Sequence, residues 1–334
     1  MISQDKKTRL IYLTAFALLL SSIEYLIPKP LPFLKIGLSN LPILLGSSFL
    51  PFYEIIILSI SKSIVQNIIS GTIISPFFII TLISTLIAST TMFVSYKIFK
   101  KATFIGISVI GAFINNIFQI ILSAILIYGN SIFIALPLIL SMGLITSIIL
   151  GFFANLLDEK SEFINEAKAL NLQDIDLLNN RKTTNSKKNI IITILAFSFI
   201  ILSIFFEKLL YLSIILVFSY ILQLTSKRKI KLSYPLVLLF SMILLSLFDK
   251  QGKVLFSYHS IEVTQEALFL YLRKAIRILI IISSSQSLVS TSIFSIDLVE
   301  KVFYLSSRFL DNFSKTKGSL INRIDKALLS EKNQ

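Results

Sequence analysis

The 334-residue chain has no cysteine, no tryptophan and a single histidine. Without cysteine it can form neither a disulfide nor a thiolate metal site, and one imidazole leaves little room for zinc chemistry. Charged residues are scarce as well: they make up 15% of the chain, whereas a typical soluble domain carries about 25%. These absences exclude disulfide-rich scaffolds, most zinc sites and an ordinary soluble core.

Sequence signatures of nucleotide and diphosphate chemistry are also missing. The chain has no G-x-x-x-x-G-K-[ST] motif, so it does not cradle ATP phosphates by itself. It has no paired aspartates of the D-D-x-x-D type, which could hold magnesium against a diphosphate. His259 stands beside Tyr258 without a plausible catalytic partner and is interpreted as an ordinary surface residue. We therefore expect no catalytic residues, no metal site and no cofactor, and we predict that the chain is not an enzyme.

Apolar sequence is what the chain has in abundance. Hydrophobic residues make up 54% of it, and its mean hydropathy is +0.83. The charges are clustered, which leaves uncharged runs long enough to cross a hydrocarbon core about 30 Å thick. The first run, residues 10–27, ends at a Pro-Lys-Pro sequence without a small-residue cleavage pattern, so it is interpreted as a mature helix. The sequence predicts an all-α integral membrane protein.

Ten membrane-spanning helices are predicted from these runs. They lie near residues 10–27, 36–50, 52–74, 76–97, 103–127, 131–157, 190–206, 209–224, 233–248 and 267–293. When the spans alternate from a cytoplasmic N-terminus, 23 of the 32 basic residues fall on the cytoplasmic side and five fall outside. This positive-inside distribution accounts for the net charge of +14 without a nucleic-acid partner. We predict a multi-pass protein of the cytoplasmic (inner) membrane, with both termini in the cytoplasm.

A polar stretch divides the ten helices into six and four. Residues 158–189 contain six acidic and six basic residues and are typical of a cytoplasmic linker. The predicted organisation is a six-helix domain (1–157), the linker, a four-helix domain (190–294) and a cytoplasmic tail (295–334). In the tail, apolar residues recur at helical spacing on both sides of Gly318, which predicts two amphipathic helices. These helices either lie on the membrane surface or dock on a soluble partner.

Polar side chains within predicted spans are expensive to place in lipid, so they are candidates for a ligand site. Those that share a helix face in the third and fifth spans are Lys62, Gln66, Asn67, Asn115, Asn116 and Gln119. The ammonium group of Lys62, beside amides, would suit an anionic or phosphorylated substrate. The alternative is structural, because Asn and Gln side chains often tie membrane helices together.

Three stretches of the first half carry a family resemblance. They are residues 36–42 (Ile-Gly-Leu-Ser-Asn-Leu-Pro), 70–72 (Ser-Gly-Thr) and 106–112 (Gly-Ile-Ser-Val-Ile-Gly-Ala), the last leading to Asn115 and Gln119. On these stretches, residues 10–157 resemble the Gx transporter family, also labelled heptaprenyl diphosphate synthase component I. That family resembles the six-helix substrate-binding S components of energy-coupling factor (ECF) transporters. The resemblance implies a small vitamin-like ligand and adds Asn40 to the candidate binding residues.

The second half carries a more distant resemblance. Residues 252–256, 261–268 and 275–277 make residues 190–330 similar to the T component, the membrane coupling subunit of ECF transporters. T components have cytoplasmic helices whose Ala-Arg-Gly motifs seat in the ATPases. Arg308 and Arg323 occupy similar places here, although neither stands in that motif. The resemblance implies ATP-binding-cassette ATPase subunits, on separate chains, as partners.

Three functional hypotheses follow. The first is a fused S-like and T-like component that binds and moves a small molecule, either vitamin-like (such as a flavin) or related to isoprenoids or quinones. Its partners would be that molecule, membrane lipid and the ATPases. The second is a non-catalytic membrane accessory subunit of a polyprenyl diphosphate synthase. The third is a membrane anchor or assembly factor for a redox complex.

Overall fold

The computed structural model describes residues 3–26, 37–99, 102–172, 186–226, 228, 230, 233–249, 252–258, 261–289, 297–316 and 318–329. His259 and part of the predicted linker, residues 173–185, lie outside these ranges. Nearly all described residues are helical, as expected for an all-α protein. The exception is a two-stranded hairpin that the sequence did not predict.

The described residues of the first half form seven α-helices. They are α1 (Gln4–Leu26), α2 (Leu41–Phe49), α3 (Phe52–Ser70), α4 (Pro76–Ile98), α5 (Phe104–Ser123), α6 (Leu136–Lys160) and the short α7 (Glu162–Ala169). A 3₁₀ turn, Leu38–Asn40, precedes α2, and a π-helical turn, Ala124–Tyr128, extends α5. A second 3₁₀ segment, Asn130–Ala135, leads into α6.

Proline and glycine set several of these boundaries. Pro51 separates α2 from α3, because its ring cannot continue the preceding helix. Helix α3 ends at Gly71, whose φ of 69° is the left-handed conformation of a glycine C-cap. Pro76 then occupies the first turn of α4, where its missing N–H costs nothing.

Helix α2 is the centre of the first half. It packs against α1, α3, α4, α5 and α6, and its residues from Leu41 to Ser47 are all buried. The predicted second span is therefore a short helix enclosed by protein. Helices α3 and α5 both pack on α4, and α6 packs on α5.

The second half consists of α8 (Ser186–Phe205), α9 (Leu209–Thr225), α10 (Ser233–Ser246) and α11 (Gln265–Val289). Helix α11 packs on the other three. Between α10 and α11, strands β1 (Val254–Tyr258) and β2 (Ile261–Thr264) form an antiparallel hairpin in a region that the sequence analysis treated as an external loop.

Two amphipathic helices complete the chain, as predicted for the tail. They are α12 (Asp297–Lys315) and α13 (Leu320–Leu328). Their apolar stripes are buried in the same core as α1 and α7, through Val302, Leu305, Phe309, Ile324 and Leu328. The tail thus packs on the first half of its own chain, a third possibility beside the membrane surface and a soluble partner.

Length and composition support a multi-pass membrane protein. Among the described residues, five helical segments are long and apolar enough to cross a membrane: Phe52–Ser70, Pro76–Ile98, Phe104–Tyr128, Asn130–Lys160 and Lys188–Phe205. Shorter apolar helices lie at Leu38–Phe49, Leu209–Thr225 and Pro235–Ser246. A helix stands at each of the ten predicted positions, while the number of ten spans remains a prediction.

Helix α11 joins the two halves by running across two turns of the first half. Near its start, the Tyr271 hydroxyl donates to the Tyr128 carbonyl (2.8 Å) and contacts the Ser131 hydroxyl (2.7 Å). Near its end, Ser285 Oγ accepts from the Ile74 amide (3.3 Å). The alternating topology puts both turns outside, yet Tyr271 and Ser285 are separated by about 21 Å of helix. The two turns therefore contact α11 at different heights. The two halves cannot lie side by side with the predicted outer ends of their helices at the same depth in the membrane.

Candidate polar site in the first half

Among the predicted site residues, Lys62 gives the most specific indication of a ligand. Its side chain lies on α3 with 5% of its surface exposed, and its Nζ donates a hydrogen bond to Oδ1 of Asn40. Asn40 is presented by the 3₁₀ turn that follows Gly37, whose φ of 92° favours glycine. The structure therefore brings two predicted residues together, one from each side of α2. A buried ammonium held by an amide is a place where an anionic group would be favoured.

Asn67 lies one turn further along α3, and its neighbours give it a clear structural role. Its amide nitrogen donates to the Ser63 carbonyl (2.8 Å), and its Oδ1 accepts from the Thr72 hydroxyl (2.7 Å). The Thr72 hydroxyl also contacts Ser70 Oγ (2.8 Å). Asn67 thus fixes the turn between α3 and α4.

Unsatisfied polar atoms lie next to this turn. Oε1 of Gln66 and Oγ of Ser63 are buried without a hydrogen-bond partner among the described residues. Buried polar atoms are nearly always paired in native proteins, so these two atoms have free capacity to bind a ligand or a water molecule. Gln66 and Ser63 are therefore the residues of α3 that are open to a ligand.

The polar residues of α5 divide into two roles. Asn116 packs over Gly143 of α6 and donates to the Ile139 carbonyl (3.3 Å), so it ties α5 to α6 as the structural alternative predicted. Asn115 is 6% exposed, and its Oδ1 has no partner in the described part of the chain. Gln119 is also buried, one turn beyond Asn115. Asn115 and Gln119 remain ligand candidates, whereas Asn116 has a helix-packing role.

The two predicted sets do not form one continuous site. Lys62 and its neighbours lie where α3 meets α1 and the turn before α2, while Asn115 lies on α5. Within the described ranges, no hydrogen bond joins the two sets, and α4 lies between α3 and α5. The α3 set, with the Lys62–Asn40 contact, is the better defined of the two. We call Asn40, Lys62, Ser63, Gln66 and Asn67 the α3 cluster.

The two predicted coupling arginines make contacts within the tail. Arg308 donates to the Tyr304 hydroxyl (2.9 Å) on the same helix. Arg323 donates to the Phe313 carbonyl (2.8 Å) and lies over the Phe313 ring, 4.2 Å from its centre. Both are partly exposed, so a role in partner coupling stays a prediction.

Two buried charges have roles that the sequence analysis missed. Arg9, counted there as a topology signal, forms an ion pair with the fully buried Glu54 and also approaches the Ala167 carbonyl (3.5 Å). Asp325 caps α7: it accepts from the Ser161 hydroxyl and from two backbone amides, one of them that of Glu162 (3.1 Å). In the sequence, the only sign of the Arg9–Glu54 pair was the carboxylate of Glu54 within an apolar run.

A groove of about 480 Å³ lies in the second half, among exposed residues. It is lined by Glu207, Lys208, Leu209, Gln265, Glu266, Phe269 and Arg273, and it contains none of the predicted site residues. Among the described residues, no group of three or more His, Asp and Glu side chains could hold a metal ion.

The two halves of the chain match two different family models. Residues 13–157 match the family model for heptaprenyl diphosphate synthase component I. This match confirms the resemblance seen in the first half, and it covers the whole α3 cluster. Residues 188–291 match a domain of unknown function, DUF8519, so the T-component resemblance is not confirmed. No curated protein and no solved structure matched the chain.

Proposed function

We propose that the chain is a non-catalytic membrane subunit of a polyprenyl diphosphate synthase. The observation that carries this proposal is the match of residues 13–157 to the component I family. In this role the chain would bind a prenyl diphosphate, or present it to a catalytic chain. It would not perform elongation, because its sequence lacks the paired aspartates that hold magnesium against a diphosphate.

The α3 cluster supports the substrate class. A prenyl diphosphate combines an anionic head with an apolar chain, so it requires a cation or hydrogen-bond donors next to an apolar surface. Lys62 supplies a buried ammonium, Asn40 accepts its hydrogen bond, and Gln66 lies about one turn further along α3. Apolar helices enclose these groups. A phosphate-bearing ligand would place an anionic group beside the buried ammonium of Lys62.

The experiment that tests this proposal starts with gentle purification from the native membrane, followed by mass spectrometry of copurifying chains and small molecules. We expect a prenyltransferase chain, and we expect added farnesyl diphosphate to bind the purified protein. Lys62→Met should abolish that binding, because it removes the charge and keeps the length. Lys97→Met is the matched control, since Lys97 is exposed at the end of α4. Purification without a prenyltransferase, together with equal binding by both variants, would refute the proposal.

The second candidate is ECF-type transport. It is favoured by the amphipathic pair α12 and α13, whose outer faces carry the partly exposed Arg308 and Arg323. In this role the chain would bind a vitamin-like or isoprenoid-related molecule, and ATPases on separate chains would drive its movement. An ATPase pair in the purified complex, with ATP-dependent uptake into vesicles, would favour this candidate over the first. Copurifying redox proteins would favour the anchor hypothesis.

Both candidates place the chain in the cytoplasmic membrane with its termini in the cytoplasm. The charge distribution supports this orientation, because 23 basic residues would lie inside and five outside. Labelling of single cysteines introduced at Lys97 and Lys208 tests the orientation, since the cysteine-free chain gives no background. A membrane-impermeant thiol reagent applied to intact cells should modify position 208 and leave position 97 unmodified.

A further inference from the structure

Near the end of α11, two hydrogen bonds join the two halves beside an apolar contact that includes Ile74 and Leu288. Ser285 Oγ accepts from the Ile74 amide of the first half (3.3 Å), and within the second half Ser283 Oγ donates to Ser219 Oγ of α9 (2.6 Å). Ser283 and Ser285 are buried. Polar contacts of this kind fix one relative position of two helices, because a shift would leave buried groups unpaired. We call the contact between residues 70–75 and residues 283–289 the seam.

Gln286 is the central side chain of the seam. Its Oε1 accepts from Nε2 of Gln223 (2.6 Å), and its own Nε2 donates to the Ser70 carbonyl (3.4 Å). Its side chain lies against Gly71: a Cβ atom added at Gly71 would be 2.1 Å from Cγ of Gln286. The glycine is therefore needed both for its φ of 69° and for the close approach of Gln286.

The same turn belongs to the α3 cluster. Thr72, two residues beyond Ser70, donates to Oδ1 of Asn67 (2.7 Å) and contacts Ser70 Oγ (2.8 Å). A continuous polar path therefore runs from Asn67 through the turn to Gln286 and on to Gln223. Each step is a hydrogen bond or a single short segment of backbone, so displacement of one end affects the other.

From this path we infer that Gln286 is a positioning residue for the α3 cluster: by holding the 70–75 turn, the second half closes the candidate ligand site of the first half. The inference rests on the proposed function for the identity of the site, but not for its closure. The site is thus completed by both halves of the chain. The second half would then do more than anchor the chain in the membrane, because Gln286 and Ser285 both hold the turn.

Accessibility of Ser63 gives a test that needs no ligand. Ser63 is fully buried in the α3 cluster and its hydroxyl has no partner, so Ser63→Cys disturbs little. In the otherwise cysteine-free full-length protein, reaction of this thiol with N-ethylmaleimide reports opening of the site. We expect slow modification in the parent and a rate roughly tenfold higher with Gln286→Ala, the change expected when a hydrogen bond that holds the turn is lost.

Two further variants and one second reporter make the test specific. Gln223→Ala breaks the same path from α9 and should raise the rate in the same direction, and it serves if Gln286→Ala does not fold. Gln265→Ala is the matched control, because Gln265 is exposed at the start of α11. A cysteine at Ser84, buried on α4, should not change its reactivity in any of these variants.

The outcomes separate the inference from the proposed function. A faster reaction at position 63 alone supports closure by Gln286. An unchanged rate at position 63, or an equal rise at position 84, would overturn it, since the second result means general loosening. Failure of farnesyl diphosphate to bind would refute the proposed substrate class and leave the closure result unaffected.

Discussion

Helices α1 and α6 were both predicted as membrane spans, yet their surroundings differ. Between Thr8 and Glu24, α1 is buried or half-buried on every side, because α12 covers the side that the other helices leave free. Helix α6 instead exposes a broad apolar face, which includes Ile145, Ile149 and Phe152. An exposed apolar face suits lipid, whereas the charged outer face of α12 suits water. The outer surfaces of the first half therefore differ, since α6 exposes apolar side chains and α12 exposes charged ones.

Hydropathy identifies an apolar helix without showing what surrounds it. A long apolar run is equally compatible with lipid and with protein on all sides. For α1 the covering surface comes from the last 40 residues of the chain. The difference between the two helices can be tested by substitutions that act on one side and spare the other.

The largest effect is expected at the ion pair between Arg9 of α1 and Glu54 of α3. Glu54→Leu leaves the buried guanidinium of Arg9 without its carboxylate, so the free energy of unfolding in detergent micelles should fall by about 3–5 kcal/mol. Glu159→Leu, at the exposed end of α6, is the control and should change little. The double variant Arg9→Met with Glu54→Leu should recover most of the loss. No recovery would show that the cost comes from packing and not from the unpaired charge.

The next effect is expected at the contact between α1 and α12. Phe309 is fully buried, with its ring 6.0 Å from that of Tyr12. Phe309→Ala should lower the free energy of unfolding by roughly 3 kcal/mol, because it removes a large apolar side chain from the core. Phe152→Ala, on the exposed face of α6, should stay within about 0.5 kcal/mol. Equal losses for the two variants in thermal unfolding would contradict the contrast drawn here.

A smaller effect is expected where α6 packs on α5. A Cβ at Gly151 would lie 2.4 Å from the Ile105 Cα, so Gly151→Ala forces α5 and α6 apart. We expect a loss of about 2 kcal/mol, typical of overpacking against backbone. Gly106→Ala is the control, because its Cβ would meet nothing within 4 Å. Melting curves in the same detergent compare the two, and a loss as large for Gly106→Ala would show that helix flexibility alone explains the result.

The smallest effect is expected where the tail caps α7. Asp325→Asn keeps one acceptor and removes the negative charge at the α7 N-terminus, so it should cost about 1 kcal/mol. It should also make the tail more accessible to limited proteolysis. Asp311→Asn is a matched control on the exposed face of α12. Identical proteolysis of the two variants would mean that the cap does not hold the tail in place.

The sequence predicted most helices of the first half, because their boundaries are local. Proline and glycine at positions 51, 71 and 76 mark the ends of α3 and the start of α4 within a few residues. The two tail helices were also predicted from their periodicity. The partner of their apolar faces was not, since the pattern at Phe309 shows only that one face must be covered.

Within the candidate site, the sequence found the residue types but not their roles. Lys62, Asn67 and Asn116 were selected by the same rule, that polar groups in a span are costly. The structure gives Asn116 a packing role and joins Asn67 to its own turn, while Lys62 contacts Asn40 from another segment. These differences depend on which helices are neighbours, and spacing along the chain does not contain that information.

The cap on α7 also has a consequence for synthesis. Ser161 and Asp325 are 164 residues apart, so at about 5–20 residues per second the ribosome adds the second partner roughly 8–30 s after the first. During that interval α1 and α7 lack the helices that cover them. The apolar surface later covered by α12 and α13 is then open to chaperones or to other nascent chains, and a truncation within the last 40 residues would leave it open permanently.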